Sequence, residues 1–287
     1  MYKWGWTMTS SVAQLLSTPV EEVAGKEVPV LDKDFSLAEI LKAVEKAKID
    51  RAFLTEGNSI RGVLTFRDIL DKIATVRTKQ AYIGGLHGSS FMNEPVKYVE
   101  VGREVSHALE TMANGMFTSV PVVGAGGVVE GGITRFELAR LVKDLEISQD
   151  TSVRDVMRTF LVSVNLQTRI LHVRQLLYEY DISVIPVMDE GRFVGVVGLD
   201  ELMAIIKSFY NLARGEPKRH TPLKYVIVAD AIRMRPPVVT PDASLAEAAE
   251  KMLEKRYRAV VVVDSEKPVG FTSGLELANF LLTKKSS

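Results

Sequence analysis

The sequence contains no cysteine, no excess of charge of either sign and no long apolar run. Zero cysteines among 287 residues exclude disulfides, thiolate metal sites and a cysteine nucleophile, and they fit a cytoplasmic protein. The 36 basic and 36 acidic residues cancel, so no overall field favours nucleic acid or an anionic membrane surface. No run approaches the roughly 18 apolar residues of a membrane helix, and the N-terminus has no signal-peptide segment. We therefore expect a cytoplasmic protein with no membrane or nucleic acid partner.

Recognisable catalytic motifs are also absent. The histidines at positions 87, 107, 172 and 220 have neither the spacing nor the partnering acid of a helix-borne zinc site. The sequence contains no nucleophile elbow, kinase signature or dinucleotide fingerprint in a strand–helix context. We predict that the protein is not an enzyme and has no catalytic residue, no metal site and no required cofactor.

What the sequence does contain is a fourfold internal repeat. A glycine followed by a short strand and the start of a helix recurs as GVLTFRDIL, GGITRFELA, GVVGLDELM and GFTSGLELA. The leading glycines stand at positions 62, 131, 195 and 270, so they are separated by 69, 64 and 75 residues. This recurrence predicts four copies of one supersecondary unit.

Each copy has the same order of predicted elements. Ser36 is placed to cap a helix over residues 37–48 with one apolar face, and Ser244 begins the same pattern in copy 4. The strands that follow, AFL, SVPVV, SVIPVM and AVVVV, are apolar on both faces, which indicates strands covered by helices. A turn signal then leads to a second strand. The unit is β-α-β-β-α, and the fold class is α+β.

At this level the chain resembles the cystathionine-β-synthase (CBS) domain family. The resemblance rests on the element order, on SVPV at 119–122 and SVIPV at 183–187 before a hairpin, and on GVLTFRD at 62–68 after it. It covers most of residues 12 to 283. The resemblance implies four repeats paired into two Bateman modules, a layout similar to the gamma subunit of AMP-activated protein kinase. It also implies that adenine nucleotides or related adenosyl compounds bind in clefts between paired repeats.

The domain boundaries follow from packing and polarity. Consecutive units with unsatisfied apolar faces usually pack together, so copies 1 and 2 form one predicted module and copies 3 and 4 the other. The polar segment between them is the predicted linker because little in it could be buried. The predicted parts are an arm (1–11), module 1 (12–142, repeats at about 12–75 and 91–142), a linker (143–151), module 2 (152–283, repeats at about 152–208 and 226–283) and a tail (284–287).

The polar residue and the acid after each last strand have two interpretations. In a capping box, Thr65 accepts a hydrogen bond from the N–H of Asp68, and the Asp68 carboxylate reaches back to the N–H of Thr65. The resemblance implies instead that the acid holds both ribose hydroxyls while the Thr or Ser contacts sugar or phosphate. Aspartate fits this role better than the longer glutamate. The other copies have Thr134 with Glu137, Gly198 with Glu201, and Ser273 with Glu276.

Two further positions separate the copies. The resemblance implies that a Thr or Ser near the end of the first strand touches the ligand, and copy 4 alone has one there, Thr240. Arg51 and Arg258 precede the central strand in copies 1 and 4, where an arginine would clamp a phosphate through two hydrogen bonds. The alternative is that both arginines are solvated strand-end residues with buried stems.

These patterns predict one binding site in each module, built around copies 1 and 4, with copies 2 and 3 degenerate. The expected ligand is AMP, ADP or ATP, with S-adenosylmethionine as an alternative. The predicted ligand-binding residues are Thr65, Asp68, Arg51, Thr240, Arg258, Ser273 and Glu276, with weaker contributions from Thr134, Glu137 and Glu201.

The favoured function is a regulatory protein for energy sensing. Its ligand would change the packing of the modules and thereby alter an unknown effector protein, and we expect a homodimer. The alternative is a scaffold for dimerisation or interaction whose clefts are empty. Trp4 and Trp6 in the arm suit either docking into a groove or a disordered leader. Lys218, Arg219 and His220 would add positive potential for a phosphate, or form a solvated loop.

Overall fold

The computed structural model describes residues 11–75, 85–210 and 225–284. The tryptophans of the arm and the basic cluster at 218–220 lie outside these ranges, so both interpretations of each stay predictions. No helix within the three ranges is both long enough and apolar enough to cross a bilayer.

The described elements follow the predicted order in every copy. Copy 1 follows two short helices, α1 (Val12–Leu16) and α2 (Val20–Val23), and contains β1 (Val30–Asp32), α3 (Leu37–Ala47), β2 (Arg51–Glu56), β3 (Ser59–Thr65) and α4 (Phe66–Thr75). Copy 2 contains β4 (Val99–Glu100), α5 (Val105–Gly115), β5 (Ser119–Val123), β6 (Val129–Thr134) and α6 (Arg135–Lys143), and α7 (Glu146–Asp150) follows it. Copy 3 contains β7 (Arg158–Thr159), β8 (Val164–Asn165), α8 (Ile170–Glu179), β9 (Val184–Asp189), β10 (Arg192–Gly198) and α9 (Leu199–Tyr210). Copy 4 contains β11 (Val238–Val239), α10 (Leu245–Glu254), β12 (Ala259–Asp264), β13 (Lys267–Ser273) and α11 (Gly274–Thr283). The α+β class and the β-α-β-β-α unit are confirmed.

The predicted serine caps begin their helices. The Ser36 side chain accepts from the N–H of Glu39 at 3.3 Å, and the Ser244 side chain accepts from the N–H of Glu247 at 3.1 Å. Helix α3 ends at Ala47, one residue before the predicted end. The reason is that Lys48 adopts the left-handed conformation, with φ of 53°, and closes the helix as its C-cap.

In each module, the leading segment of each copy, which precedes the first strand of its own sheet, pairs with the sheet of the other copy. In module 1, Gly25 pairs with Gly132 of copy 2 through two 2.9 Å hydrogen bonds, and Asn93 pairs with Val63 of copy 1. In module 2, β7 pairs with β13 of copy 4, while Arg233 pairs with Val196 of copy 3. Because each sheet is extended by its partner's leading segment, the copies of a module are interlocked. The predicted pairing of four repeats into two modules is confirmed.

The modules pack against each other through helices. Helix α4 of copy 1 contacts α9 of copy 3, and α6 of copy 2 contacts α10 and α11 of copy 4. Two large hydrophobic cores result: the first consists mainly of residues of copies 1 and 3 with several of copy 4, and the second mainly of residues of copies 2 and 4. Alanines such as Ala139, Ala248 and Ala278 are fully buried in the second core, where small side chains let helices approach closely. A single chain therefore surrounds a central space with all four copies.

The predicted linker, residues 143–151, contains a short helix that contacts the second module. Residues Glu146–Asp150 form α7, which packs against α10, and both Leu145 and Ser148 are buried. These two residues are the exceptions in a segment that is otherwise exposed or half-buried, and α10 of the other module packs against it. The domain boundaries themselves stay a proposal.

Candidate ligand-binding site

A cavity of about 390 Å³ lies at the centre and is lined by residues of all four copies. Its size falls within the roughly 300–1,000 Å³ of typical small-molecule sites. Apolar lining comes from side chains such as Val63, Val96, Phe117 and Phe271. The charged lining residues are Asp50, Arg51, Arg67, Asp68, Lys97, Arg158, Asp181, Arg258 and Glu276.

Thr65 and Asp68 form a capping box on the cavity wall. The Thr65 N–H and hydroxyl both donate to Oδ2 of Asp68 at 2.7 Å, and the N–H of Asp68 donates to Thr65 Oγ1 at 3.4 Å. The Asn93 amide donates to the other carboxylate oxygen at 2.5 Å. Burial raises the pKa of the Asp68 carboxyl, and the donors from Thr65 and Asn93 oppose that rise. Asp68 thus faces the cavity with part of its acceptor capacity already used.

Ser273 and Glu276 form the same box on the wall contributed by copy 4. The Ser273 N–H and hydroxyl donate to Oε2 of Glu276 at 2.9 and 2.5 Å. In the described part of the chain no donor contacts Oε1 of Glu276, so this oxygen keeps its full acceptor capacity. Asp68 was expected to be the better sugar anchor. Glu276 is an equal candidate, because its Oε1 accepts no hydrogen bond in the described part of the chain, whereas Oδ1 of Asp68 accepts one from Asn93.

Glu137 of copy 2 forms the predicted capping box with Thr134, Glu201 of copy 3 accepts only the N–H of Gly198 at its helix start, and neither acid lines the cavity. Glu137 accepts the Thr134 N–H at 3.0 Å and pairs with Arg140 at 2.6 Å. A Cβ on Gly25 would lie 2.2 Å from Oε1 of Glu137, so the leading segment of copy 1 covers this carboxylate directly. Burial raises the pKa of Glu137. Nothing of this acid faces the cavity.

Glu201 is closed off in a different way. It accepts the Gly198 N–H at 3.0 Å, the Arg233 Nε–H at 2.7 Å and the Tyr257 hydroxyl at 2.9 Å. Arg233 stacks over the ring of Tyr257 at 4.4 Å. Burial and the neighbouring carboxylate of Asp200 raise the pKa of Glu201. Both oxygens of the Glu201 carboxylate therefore accept hydrogen bonds from the protein itself.

Arg51 and Arg258 lie on the cavity floor and are paired with carboxylates. Arg51 donates to Asp50 at 2.9 and 3.2 Å and to Thr118 Oγ1 at 2.9 Å. Arg258 donates to Asp200 at 2.8 and 2.6 Å and lies 3.3 Å from Asp50. Solvated strand-end arginines are excluded, because Arg51 is 3% exposed and Arg258 is 5% exposed. The guanidinium groups that were predicted to bind a phosphate through two hydrogen bonds bind the carboxylates of Asp50 and Asp200 instead.

A third arginine completes this buried cluster. Arg135 of copy 2 pairs with Asp50 at 2.8 Å. Burial alone would raise the pKa of Asp50, but the guanidinium groups of Arg135, Arg51 and Arg258 outweigh it and hold the pKa well below its usual range. With Asp200, the cluster contains three guanidinium groups and two carboxylates, so it keeps one net positive charge beneath the cavity.

The sequence matches the CBS domain family at four ranges, residues 20–75, 89–144, 153–208 and 228–282. The chain belongs to the CBS domain family. Each match covers one of the four repeats. The family assignment made from the sequence is therefore confirmed.

Similar proteins match over most of this chain. Uncharacterized protein MJ1404 from Methanocaldococcus jannaschii is 23% identical over 284 residues, which is 94% of this chain and 63% of that protein. The chain thus spans less than two thirds of that relative. The crystal structure of MJ1225 from the same organism, a candidate archaeal homologue of g-AMPK, has a TM-score of 0.78 at 18% identity, covering 92% of this chain and 99% of that one. An uncharacterized conserved protein from Pyrococcus horikoshii has a TM-score of 0.60 at 16% identity, with 92% and 100% covered. At these identities the likeness shows the fold, including the predicted gamma-like layout.

Thr240 is not brought to the cavity. Strand β11 pairs in parallel with β12 so that Val239 lies beside Val262, which places Thr240 beside the far end of β12. The cavity lies at the other end, at Arg258, five residues before Val263. At about 3.3 Å per residue this is roughly 17 Å. Thr240 therefore does not line this cavity with Ser273 and Glu276, and its predicted role in ligand binding stays a prediction.

The leading segments of the CBS repeats supply the site residues that sequence reasoning missed. Asn93 and Lys97 precede β4 in copy 2, and Arg158 precedes β8 in copy 3; all three line the cavity. Arg158 donates to the carbonyl oxygens of Asp181 and Tyr180 at 2.9 and 2.7 Å. Within the described ranges neither Lys97 nor Arg158 forms an ion pair. A signal existed in the recurrence of Met-Asn at 92–93 and Met-Arg at 157–158, at equivalent places before their repeats.

Proposed function

We propose that this CBS protein is a regulator that binds an adenosine nucleotide in its central cavity and performs no catalysis. The observation that carries the proposal is the meeting of two open capping carboxylates, Asp68 and Glu276, with two cations that have no carboxylate partner, Lys97 and Arg158. A carboxylate is a directional acceptor for a sugar diol, and an unpaired cation attracts phosphate.

The apolar part of the cavity suits a base. Val96 and Phe117 lie on the wall of module 1, and Phe271 lies on the wall of module 2. Apolar and aromatic lining with a few placed polar groups is the usual composition of a ligand site. AMP, ADP and ATP are the proposed ligands, and S-adenosylmethionine is the alternative.

Signalling would use the packing of the modules. The cavity wall includes the contact between Arg67 of copy 1 and Asp181 of copy 3, at 3.3 Å, so a bound ligand touches the border between modules. A ligand shifts such packing by binding one arrangement more tightly than another. The readout would be an effector protein in the cytoplasm. A homodimer stays part of the proposal, although the cavity is complete within one chain.

A ligand-independent scaffold is favoured by one specific observation. The crevices of copies 2 and 3 are filled by the chain itself, through Arg140 at Glu137 and through Arg233 and Tyr257 at Glu201. These two repeats therefore act as structural partners for copies 1 and 4 in the proposed regulator. If the central cavity also bound no ligand, all four repeats would have this structural role alone.

Calorimetric titration with AMP tests the proposal. We expect Asp68→Asn and Glu276→Gln each to weaken binding by roughly tenfold or more, because a hydrogen bond to a charged acceptor contributes about 1.5–3 kcal/mol. Glu39→Gln is the matched control, since Glu39 closes a capping box with Ser36 away from the cavity. Thr240→Val should also bind like the parent. Absence of binding by AMP, ADP, ATP and S-adenosylmethionine would leave the scaffold as the function.

A further inference from the structure

One position in the leading segments is structurally equivalent in all four copies. Its residue pairs with the residue that follows the leading glycine of the partner's repeat, and the partner's capping acid stands five positions further along the chain. The four residues are Gly25, Asn93, Arg158 and Arg233, and the corresponding acids are Glu137, Asp68, Glu276 and Glu201. The backbone thus brings four different side chains to the same place in the repeat.

A second equivalent position lies on the turn after the first long helix of each copy. The N–H of its residue donates to the carbonyl oxygen five residues earlier, and the residue before it is left-handed, with φ between 43° and 53°. The four residues are Ile49, Phe117, Ile182 and Tyr257. Because the turn has the same backbone in every copy, the copies differ there mainly in the side chain.

At Glu201 the residues of these two positions act together. The guanidinium group of Arg233 lies over the ring of Tyr257 at 4.4 Å, and its Nε–H donates to Oε1 of Glu201 at 2.7 Å. The Tyr257 hydroxyl donates to Oε2 at 2.9 Å. The aromatic face holds the planar guanidinium group against the carboxylate, so both oxygens of this acid are occupied.

Arg158 shows that an arginine by itself does not close the acid. It occupies the same position as Arg233, but the turn of its own copy carries Ile182, which has no aromatic face. Its guanidinium group donates to the carbonyl oxygens of the two residues before Ile182, at 2.7 and 2.9 Å. In the described part of the chain, Oε1 of Glu276 accepts no hydrogen bond. The turn residue therefore accompanies the choice between the two arginine conformations.

Asp68 meets the aromatic residue without the arginine. Phe117 lies on the turn and is 40% exposed, so its ring is accessible from the cavity that it lines with Asn93 and Asp68. The Asn93 amide donates to one oxygen of Asp68 at 2.5 Å and is too short to stack on a ring and bind the acid together. Glu137 is covered without either member, by the close approach of Gly25.

We propose that an arginine in the leading segment and an aromatic residue on the turn close a capping acid only when both are present. Arg233 and Tyr257 form this pair at Glu201. Asp68 and Glu276 each meet one member of the pair, so they stay available to a ligand. The inference rests on the proposed function and makes the side chains at positions 93 and 182 determinants of ligand access.

Addition of the missing arginine tests the pair. Asn93→Arg should close Asp68, so the AMP affinity of the full chain in calorimetry should fall about tenfold or more, as in Asp68→Asn. In Phe117→Ile, which has the turn residue of copies 1 and 3, the same substitution should lower the affinity by less than about threefold, as a double-mutant cycle measures. The reason is that the new arginine should then bind the turn carbonyls, as Arg158 does.

Several outcomes would overturn the inference. Equal losses in both backgrounds would show that the arginine acts through size or charge, and an unchanged or higher affinity of Asn93→Arg would show that Asp68 stays open. The crystal structure of Asn93→Arg gives a readout without ligand. A guanidinium group on Asp68 and over Phe117 supports the inference, whereas one on the turn carbonyls contradicts it. If AMP binds neither the parent nor the variants, the proposed function fails, and this crystal structure still decides the inference.

Discussion

A single carboxylate, Asp50, faces three guanidinium groups at the centre of the molecule. Arg51, Arg135 and Arg258 lie within 2.8 to 3.3 Å of its oxygens, and each comes from a different copy. The side chain of Asp50 is almost wholly buried. Because isolated buried charges are costly, the arginines depend on this carboxylate as much as it depends on them.

Replacement of Asp50 by asparagine should therefore be strongly destabilising. We expect Asp50→Asn to lower the free energy of unfolding by about 3–5 kcal/mol, the usual cost of removing one partner from a buried ion pair. Chemical denaturation of the parent and the variant measures the difference.

A surface pair supplies the control for Asp50. Asp242 pairs with Arg154 at 3.0 Å, and its side chain is 83% exposed. Asp242→Asn should change the free energy of unfolding by no more than about 1 kcal/mol, because water screens this pair. Equal effects of the two substitutions would contradict the assigned role of Asp50.

At the scale of elements, several helices begin with the same capping motif, but the surroundings of the motif differ from one helix to the next. Capping boxes start α3 at Ser36 and α11 at Ser273, and the same contacts start α4 at Thr65. The box at Ser36 lies outside the cavity wall, whereas those at Thr65 and Ser273 are part of it. Capping and ligand binding are therefore compatible roles for one hydroxyl, and substitution can separate them.

Paired alanine substitutions make that separation. Ser36→Ala and Thr65→Ala should each reduce the free energy of unfolding by about 1 kcal/mol, because each removes an N-cap. Only Thr65→Ala should also weaken AMP binding, since Thr65 faces the cavity and orients Asp68 at 2.7 Å. Urea unfolding measures the free energy of unfolding of both variants, and AMP titration measures their AMP affinities. Unchanged AMP affinity in Thr65→Ala would restrict this residue to capping.

At the scale of the whole molecule, the exchanged segments and the shared cores connect the modules to one cavity. Arg256 of copy 4 donates to Glu27 at 2.8 Å and to the Ala47 carbonyl at 3.2 Å, both in module 1. Tyr178 of copy 3 donates to the Arg67 carbonyl of copy 1. Contacts of this kind join the two modules that both line the cavity, so we expect occupancy to affect both sides of the interface.

Ligand binding should accordingly stabilise both modules together. AMP at about 100 times its dissociation constant should add about 2.7 kcal/mol to the free energy of unfolding, if AMP binds only the folded chain. Hydrogen exchange should slow in β3 of module 1 and in β13 of module 2, because both strands end at the cavity wall. The same AMP concentration on Glu276→Gln is the control. Protection limited to one module would show that the cavity does not connect them.

Much of the architecture was determined locally and could be predicted from the sequence. The fourfold spacing of glycines, the apolar strands and the serine caps each depend on residues near one another in the chain, so periodicity and capping chemistry reveal them. The box at Thr65 and Asp68 was predictable for the same reason, since its atoms are three residues apart.

Only the tertiary structure decided which of the capping carboxylates face the cavity. Glu137, Glu201 and Glu276 occupy equivalent positions in their repeats, yet Gly25 covers the first, Arg233 and Tyr257 fill the second, and the third faces the cavity. Likewise, the strand register, and not the chemistry of Thr240, keeps that residue from the cavity. Residues 32 to 112 positions apart in the chain make the contacts that cover Glu137 and Glu201, and no local pattern records them. Local chemistry thus determined the repeat and its caps, whereas long-range packing decided where a ligand can enter.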